Sequence, residues 1–213
     1  VFVFGGRNAN ETIDSCEFLD IVGGDKKQEA WTCIEAKMKT PRCYTAAALL
    51  DANTVVICGG RDGDNKELAS CESFDLVSRT FSDFPDLMEP RSRFAVVQYQ
   101  GNLVAIGGSF KRRSCEQYDV VSRKWTSFAP LNEGRHCFGA TVIEDKIFVA
   151  GGVGVESVEV FDGSTWSILT KLPLPRSDSA VTLEGKLVLL GGDKEEVDIH
   201  SIHPTTVGLP FPK

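Results

Sequence analysis

Five glycine pairs constrain what this chain can fold into. They stand at Gly5-Gly6, Gly59-Gly60, Gly107-Gly108, Gly151-Gly152 and Gly191-Gly192, and apolar runs such as Leu103-Val104-Ala105-Ile106 lead into them. The steps between them are 54, 48, 44 and 40 residues. A period of this size marks a repeat architecture, in which one small unit cannot bury both of its faces and its neighbours must cover them. A glycine pair at the end of an apolar strand serves a backbone with positive φ, or one with no room for a side chain. The phosphate-loop alternative fails, because no GxGxxG or GxxxxGK[ST] occurs and no helical pattern follows the pairs.

Between the glycine pairs each unit offers four short strands separated by turn signals, such as Asp51-Ala52-Asn53 and Gln100-Gly101-Asn102. No stretch sustains a 3.6-residue period, so the chain reads as all-β. The units run approximately over 1–40 (partial, without its innermost strand), 41–89, 90–133, 134–174 and 175–213 (degraded). Innermost strands are expected at Tyr44–Leu50, Phe94–Tyr99 and Cys137–Ile143. A ring of blades or a stack would satisfy this pattern, and radial packing also protects sheet edges.

Several residue types recur in phase. Trp31, Trp125 and Trp166 each follow an acidic residue and read as large aromatics filling the space between blades; an aromatic ligand platform is the alternative. Phe81 holds that place in the second unit. Arg42, Arg91, Arg135 and Arg176 precede the glycine pairs by 17, 16, 16 and 15 residues. They are expected either to pair with Glu17, Glu72, Glu116 or Glu159, since burying either charge alone is costly, or to form a charged ring facing a partner. In the degraded unit, Val197 to His200 take the place of the glutamate-containing segment.

The seven cysteines are odd in number and form no CxxC. Cys16, Cys71 and Cys115 share one place, just before the glutamate. They read as small reduced hydrophobes of an intracellular protein, and Cys58 and Cys137 as core residues inside apolar strands. His136 stands far from His200 and His203, with no ligand at metal-site spacing, so neither metal nor cofactor is expected. No Ser-His-Asp or Cys-His set is suggestively spaced, and the chain reads as a non-enzyme.

The net charge of −7 argues against nucleic acid as a partner, and no run of eighteen apolar residues exists to span a membrane. Against that charge, Arg7, Arg61, Arg93, Lys111, Arg112 and Arg113 stand where the repeat does not demand them. Ordinary solvated charge is one reading; arginine forks gripping an acidic peptide are the other. The chain opens in mid-repeat without a methionine and reads as a fragment.

The run of apolar strand, Gly-Gly, variable loop, Glu-x-aromatic-Asp and Trp resembles the kelch repeat. Gly107-Gly108, Glu116, Tyr118-Asp119 and Trp125 form the cleanest copy. The Pro-Arg openings at 41–42, 90–91 and 175–176, with Met38 and Met88 before two of them, are similar to those of BTB-kelch proteins. The resemblance implies a kelch-type β-propeller of about five four-stranded blades, part of a six-bladed ring that would need roughly 280 residues at this repeat length. It implies a substrate-recognition domain of a cullin-3 ubiquitin ligase adaptor, engaging cullin-3 through an upstream BTB domain, in the cytoplasm. The alternative it offers is an actin-binding, cytoskeletal kelch protein. Copper oxidase chemistry, found on some similar propellers, needs clustered Tyr, His and Cys ligands that three tyrosines and three histidines do not suggest. By position, the resemblance places partner-binding residues at Arg7, Asn8, Arg61, Asp62, Arg93, Ser109, Phe110 and Arg112.

Overall fold

The computed structural model describes residues 1–9, 11–19, 30–109, 113–175, 177, 180–183, 186–189 and 200–202. Among them, every regular element is a β-strand in an antiparallel sheet. The chain divides into two compact units, Val1–Ser92 and Arg93–Lys213.

In the first unit, β1 (Phe2–Arg7), β2 (Thr12–Phe18) and β3 (Thr32–Ile34) form a three-stranded sheet in chain order. The next sheet is four-stranded: β4 (Ala46–Leu49), β5 (Thr54–Cys58), β6 (Cys71–Asp75) and β7 (Thr80–Phe84). The second unit holds β8 (Ala95–Tyr99), β9 (Asn102–Ile106), β10 (Cys115–Asp119) and β11 (Lys124–Phe128), then β12 (Gly139–Ile143), β13 (Lys146–Ala150), β14 (Ser157–Phe161) and β15 (Trp166–Lys171). It ends on a three-stranded sheet of β16 (Ala180–Leu183), β17 (Lys186–Leu189) and β18 (His200–Ile202). Each sheet is a meander, the blade the period requires.

Burial explains the sequence pattern of each strand. The second strands β5, β9 and β13 are covered on both faces and read as continuous apolar runs. The outer strands β7 and β11 keep mostly polar, exposed side chains. In the first unit Phe18, Met38, Val55, Ile57 and Phe74 pack together, with Phe2, Phe4 and Phe81 against them. The Phe74 and Phe81 rings lie 4.7 Å apart. In the second unit Val97, Val104, Ile106, Leu131, Phe138, Ile147, Phe161 and Trp166 form the corresponding core. Each such side chain contributes about 1.5–3 kcal/mol by leaving water.

The aromatic pairing of the three four-stranded blades is a cross-strand one. Tyr118 faces Trp125, Phe161 faces Trp166 and Phe74 faces Phe81. Trp166 also donates its indole N–H to the Ala129 carbonyl at 2.9 Å, a bond that Phe81 cannot make in its own blade. Trp31 departs from the expectation. Its register is that of Trp125: Glu17↔Cys33 and Phe18↔Thr32 correspond to Glu116↔Ser127 and Gln117↔Thr126. β3 begins only at Thr32, however, and Trp31 is 47% exposed instead of filling a core. The Arg79 guanidinium lies over the Phe18 ring, 4.2 Å from its centroid.

Three further expectations shift. Tyr44, Arg93 and Cys137 have φ of 53°, 55° and 53°, so the innermost strands begin later than expected, at Ala46, Ala95 and Gly139. Cys137 therefore stands before its strand and is only partly buried, not a core strand residue. In the last sheet the register Leu189↔His200 gives His200 the rung that Ile57↔Glu72 gives Glu72. The glutamate's place thus falls on His200 and not on Val197.

In the three four-stranded sheets, an aspartate at or just after the end of the third strand builds the following turn. Asp75 accepts from the Ser78 amide at 2.6 Å, Asp119 from Ser122 at 2.6 Å, and Asp162 from Thr165 at 2.9 Å. These amides, assisted by the side-chain hydroxyls, hold all three carboxyls below the usual carboxylate range. A depressed carboxyl stabilises the fold above its unfolded pKa, and that stabilisation is lost as pH falls through the folded value. Acid titration of stability should therefore show a loss beginning below about pH 4. In a triple Asp75→Asn, Asp119→Asn, Asp162→Asn variant, that loss should be shallower.

No disulfide forms, and all seven cysteines are thiols. Cys16, Cys71 and Cys115 repeat one geometry, each Sγ pointing to the carbonyl two residues earlier, of Asp14, Ala69 and Arg113. Burial pushes the Cys16 thiol up to about 12. Cys33 is exposed. In timed alkylation of the native protein, Cys33 should be modified first and Cys16 only on unfolding.

Candidate functional site

The ends of the second strands show how the repeated residues are used. The four described glycine pairs have positive φ: 61° and 128° at Gly5-Gly6, 58° and 100° at Gly59-Gly60, 64° and 117° at Gly107-Gly108, 69° and 118° at Gly151-Gly152. The second amide of a pair donates to the carbonyl of the arginine that opens the next unit. Gly6 reaches Arg42 at 2.9 Å, Gly60 reaches Arg91 at 2.8 Å and Gly108 reaches Arg135 at 3.1 Å. A side chain has no room there: a Cβ on Gly60 would sit 2.6 Å from the Cys43 carbonyl. Gly191-Gly192 lie outside the described residues.

The opening arginine then turns back into its own blade. Arg42 donates to the Gly59 carbonyl at 2.9 Å, the Ser70 carbonyl at 2.8 Å and Glu72 Oε1 at 2.7 Å. Arg135 repeats the pattern with the Gly151 carbonyl at 2.8 Å, the Ser157 carbonyl at 2.9 Å and Glu159 Oε1 at 2.5 Å. The carboxylates also accept backbone amides: Lys39 at 2.8 Å and Thr40 at 3.2 Å on Glu72, Asn132 at 2.8 Å and Glu133 at 3.1 Å on Glu159. Arg42, Arg91 and Arg135 are at most 1% exposed, and Glu72, Glu116 and Glu159 at most 4%. These arginines are building material and cannot form a ring facing a partner. Arg176 lies outside the described residues.

With the repeating charges buried, the loops carry what remains for recognition. Arg7 is the last residue of β1, directly after the glycine pair, and its side chain is exposed. Asn8 follows, also exposed, with its Oδ1 accepting from the Glu11 amide at 2.8 Å. Arg61 has a different part. Its guanidinium donates to Ser92 Oγ at 3.1 Å and Asn65 Oδ1 at 3.1 Å and lies 3.5 Å from Glu67, leaving its side chain 17% exposed. It holds the 61–68 loop together. Asp62 caps the same loop, accepting from the Asp64 and Lys66 amides at 3.0 and 2.9 Å. Ser109 is half-buried; Phe110, Lys111 and Arg112 lie outside the described residues. Arg113 is exposed, with its Nε on the Leu131 carbonyl at 2.9 Å.

Arg93 shares its position with two residues that the sequence did not single out for binding. Tyr44, Arg93 and Cys137 each lie two residues past a repeat-opening arginine, and each holds a left-handed φ. Non-glycine residues in that region are uncommon and cluster where a side chain has work to do. Tyr44 is 45% exposed. The spacing from Arg42 would have found it.

The comparisons with known proteins agree with this geometry. The model of the KLHDC2/KLHL20/DRC7 Kelch-repeats domain matches residues 1–152, and that of the Kelch motif matches residues 134–173. Kelch repeat and BTB domain-containing protein 13 of Mus musculus is 31% identical over 89 residues, covering 41% of this chain and 19% of that protein. Its Homo sapiens counterpart matches equally. Kelch repeat-containing protein kel-10 of Caenorhabditis elegans is 28% identical over 112 residues, 51% of this chain and 18% of that protein. The chain thus spans well under two thirds of the length of these relatives. The solved structure of YjhT superposes with a TM-score of 0.77 at 14% identity, covering 94% of this chain and 76% of that one, which shows the fold. The chain belongs to the kelch-repeat family: its sheets are the blades of a kelch-type β-propeller, and it is a protein-interaction domain.

Proposed function

We propose that this chain is the substrate-recognition domain of a BTB-kelch adaptor of a cullin-3 ubiquitin ligase, and that it binds acidic segments of its partner on the loops after the glycine pairs and near the starts of the innermost strands. The observation that carries the reading is the division of labour among the arginines. Arg42 and Arg135 are consumed by buried carboxylates, while Arg7 is exposed and Arg93 occupies a strained position beside an innermost strand. The mouse and human relatives that carry BTB in their names support the adaptor context. An acidic partner suits arginine forks, which add charge steering on encounter.

The test uses the full-length protein. Arg7→Glu and Arg93→Glu together should lower recovery of the bound substrate at least tenfold, since each lost charge-assisted contact is worth about 1.5–3 kcal/mol. Co-precipitation of cullin-3 should be unchanged. Arg61 is left intact, because reversing it would disrupt the 61–68 loop. Unchanged substrate recovery would refute the loop reading, and absence of cullin-3 from the wild-type complex would refute the adaptor reading.

A further inference from the structure

Among the described residues, one pair of side chains has no counterpart in the other blades. Cys58 ends β5 and Cys71 begins β6, and the two are directly opposite across the ladder. At the same rung Cys16 faces Phe4, Cys115 faces Ile106 and Val158 faces Ala150. The rung beyond, Gly59 with Ser70, carries a ladder hydrogen bond from the Gly59 amide to the Ser70 carbonyl at 3.0 Å. Rungs alternate in an antiparallel pair, so Cys58 and Cys71 occupy a non-hydrogen-bonded one. Such pairs hold their Cα atoms about 4.5 Å apart, with both side chains on one face. That lies within the roughly 4.4–6.8 Å that a disulfide spans.

We propose that Cys58 and Cys71 form an oxidisable dithiol, a modification site closed to a disulfide by a small peroxide. The Cys71 thiol gives up its proton and the thiolate attacks one oxygen of hydrogen peroxide; the O–O bond breaks, hydroxide leaves and takes that proton to become water, and a sulfenic acid remains. The Cys58 thiol likewise ionises and attacks that sulfur; the S–S bond forms, the S–O bond breaks and the departing hydroxide takes the second thiol proton as water. Two thiols are oxidised and one peroxide is reduced. Cys71, 4% exposed, is the more accessible of the two, and Cys58 is fully buried. Burial makes the reaction slow and the product resistant to reduction.

The site also has a structural target. On the adjoining rung, Arg42 binds the carbonyls of Gly59 and Ser70 at 2.9 and 2.8 Å. A disulfide would close the base of the segment that contains the 61–68 loop, next to that clamp. Oxidation therefore stiffens the loop that Arg61 organises.

The experiment treats the reduced protein with graded hydrogen peroxide, blocks remaining thiols, and maps peptides without reduction. The expected result is a linked Cys58–Cys71 peptide, two hydrogens lighter than the sum of its parts, in protein that melts at a higher temperature than the reduced form. In Cys58→Val, which keeps the rung apolar, peroxide should leave Cys71 as a sulfenic acid trapped by a dione probe, with no upward shift in melting. If that variant does not fold, the wild-type map alone decides. Two thiols still unmodified after Cys33 is fully oxidised, or Cys71 linked to any other cysteine, would overturn the proposal.

Discussion

Replacing Arg135 by alanine is expected to destabilise the protein by about 3–5 kcal/mol, the range for removing one partner of a buried ion pair. Neither side chain of the Arg135–Glu159 pair is exposed to solvent. Without the guanidinium, Glu159 is left with the amides of Asn132 and Glu133 among the described residues, and the carbonyls of Gly151 and Ser157 lose a shared donor. The cost comes from stranding a buried carboxylate more than from the worth of the pair itself. Arg135→Met combined with Glu159→Leu should therefore lose less than Arg135→Ala alone, because no charge is left behind. Denaturant unfolding at neutral pH measures all three proteins. Lys124→Ala on the exposed outer strand should stay within about 0.5 kcal/mol of the parent. A loss of 1 kcal/mol or less for Arg135→Ala would mean that the cluster is solvated.

Gly60→Ala should cost about 3 kcal/mol or more, from left-handed backbone strain of order 1–3 kcal/mol together with overpacking of similar size. At φ +100°, the new Cβ would meet the Cys43 carbonyl at 2.6 Å and Thr45 Cβ at 3.2 Å. The obstacle is backbone and cannot rotate away. It would also disturb the Gly60 amide, which donates to the Arg91 carbonyl. Gly63 lies three residues further along, in the same loop, and nothing stands within 4 Å of a Cβ there. Gly63→Ala should be neutral within about 0.5 kcal/mol. Equal effects at the two positions would show that something other than the close approach of Cys43 and Thr45 keeps a glycine at position 60.

The architecture was legible because it rests on local chemistry repeated in phase. Four strands per unit and the glycine pair follow from spacing. Spacing left the repeated arginines either paired with the repeated glutamates or facing a partner, and Arg42–Glu72 and Arg135–Glu159 take the first. Exposure was harder. Trp31 keeps the phase of Trp125, yet it is 47% exposed where Trp125 is 7% exposed. Spacing marks the rung but not how far neighbouring side chains cover the ring. The candidate site was legible only as an address. Sequence marks the loops after the glycine pairs but not what a loop arginine touches. Arg61 looks like a free fork until Glu67, Asn65 and Ser92 are found around it. The Cys58–Cys71 pair needed the ladder register as well, since the two lie thirteen residues apart.

The most direct test of the whole account is residue-resolved amide hydrogen exchange. If each glycine pair is bonded to the unit that follows, the amides of Gly6, Gly60 and Gly108 should exchange as slowly as those of Val56, Val104 and Phe148 in the second strands. Amides at Gly63 and Gly101, where the chain is open to water, should exchange orders of magnitude faster. Rapid exchange at Gly6, Gly60 and Gly108 would contradict the account, because the blades would then lack the bond on which their succession depends.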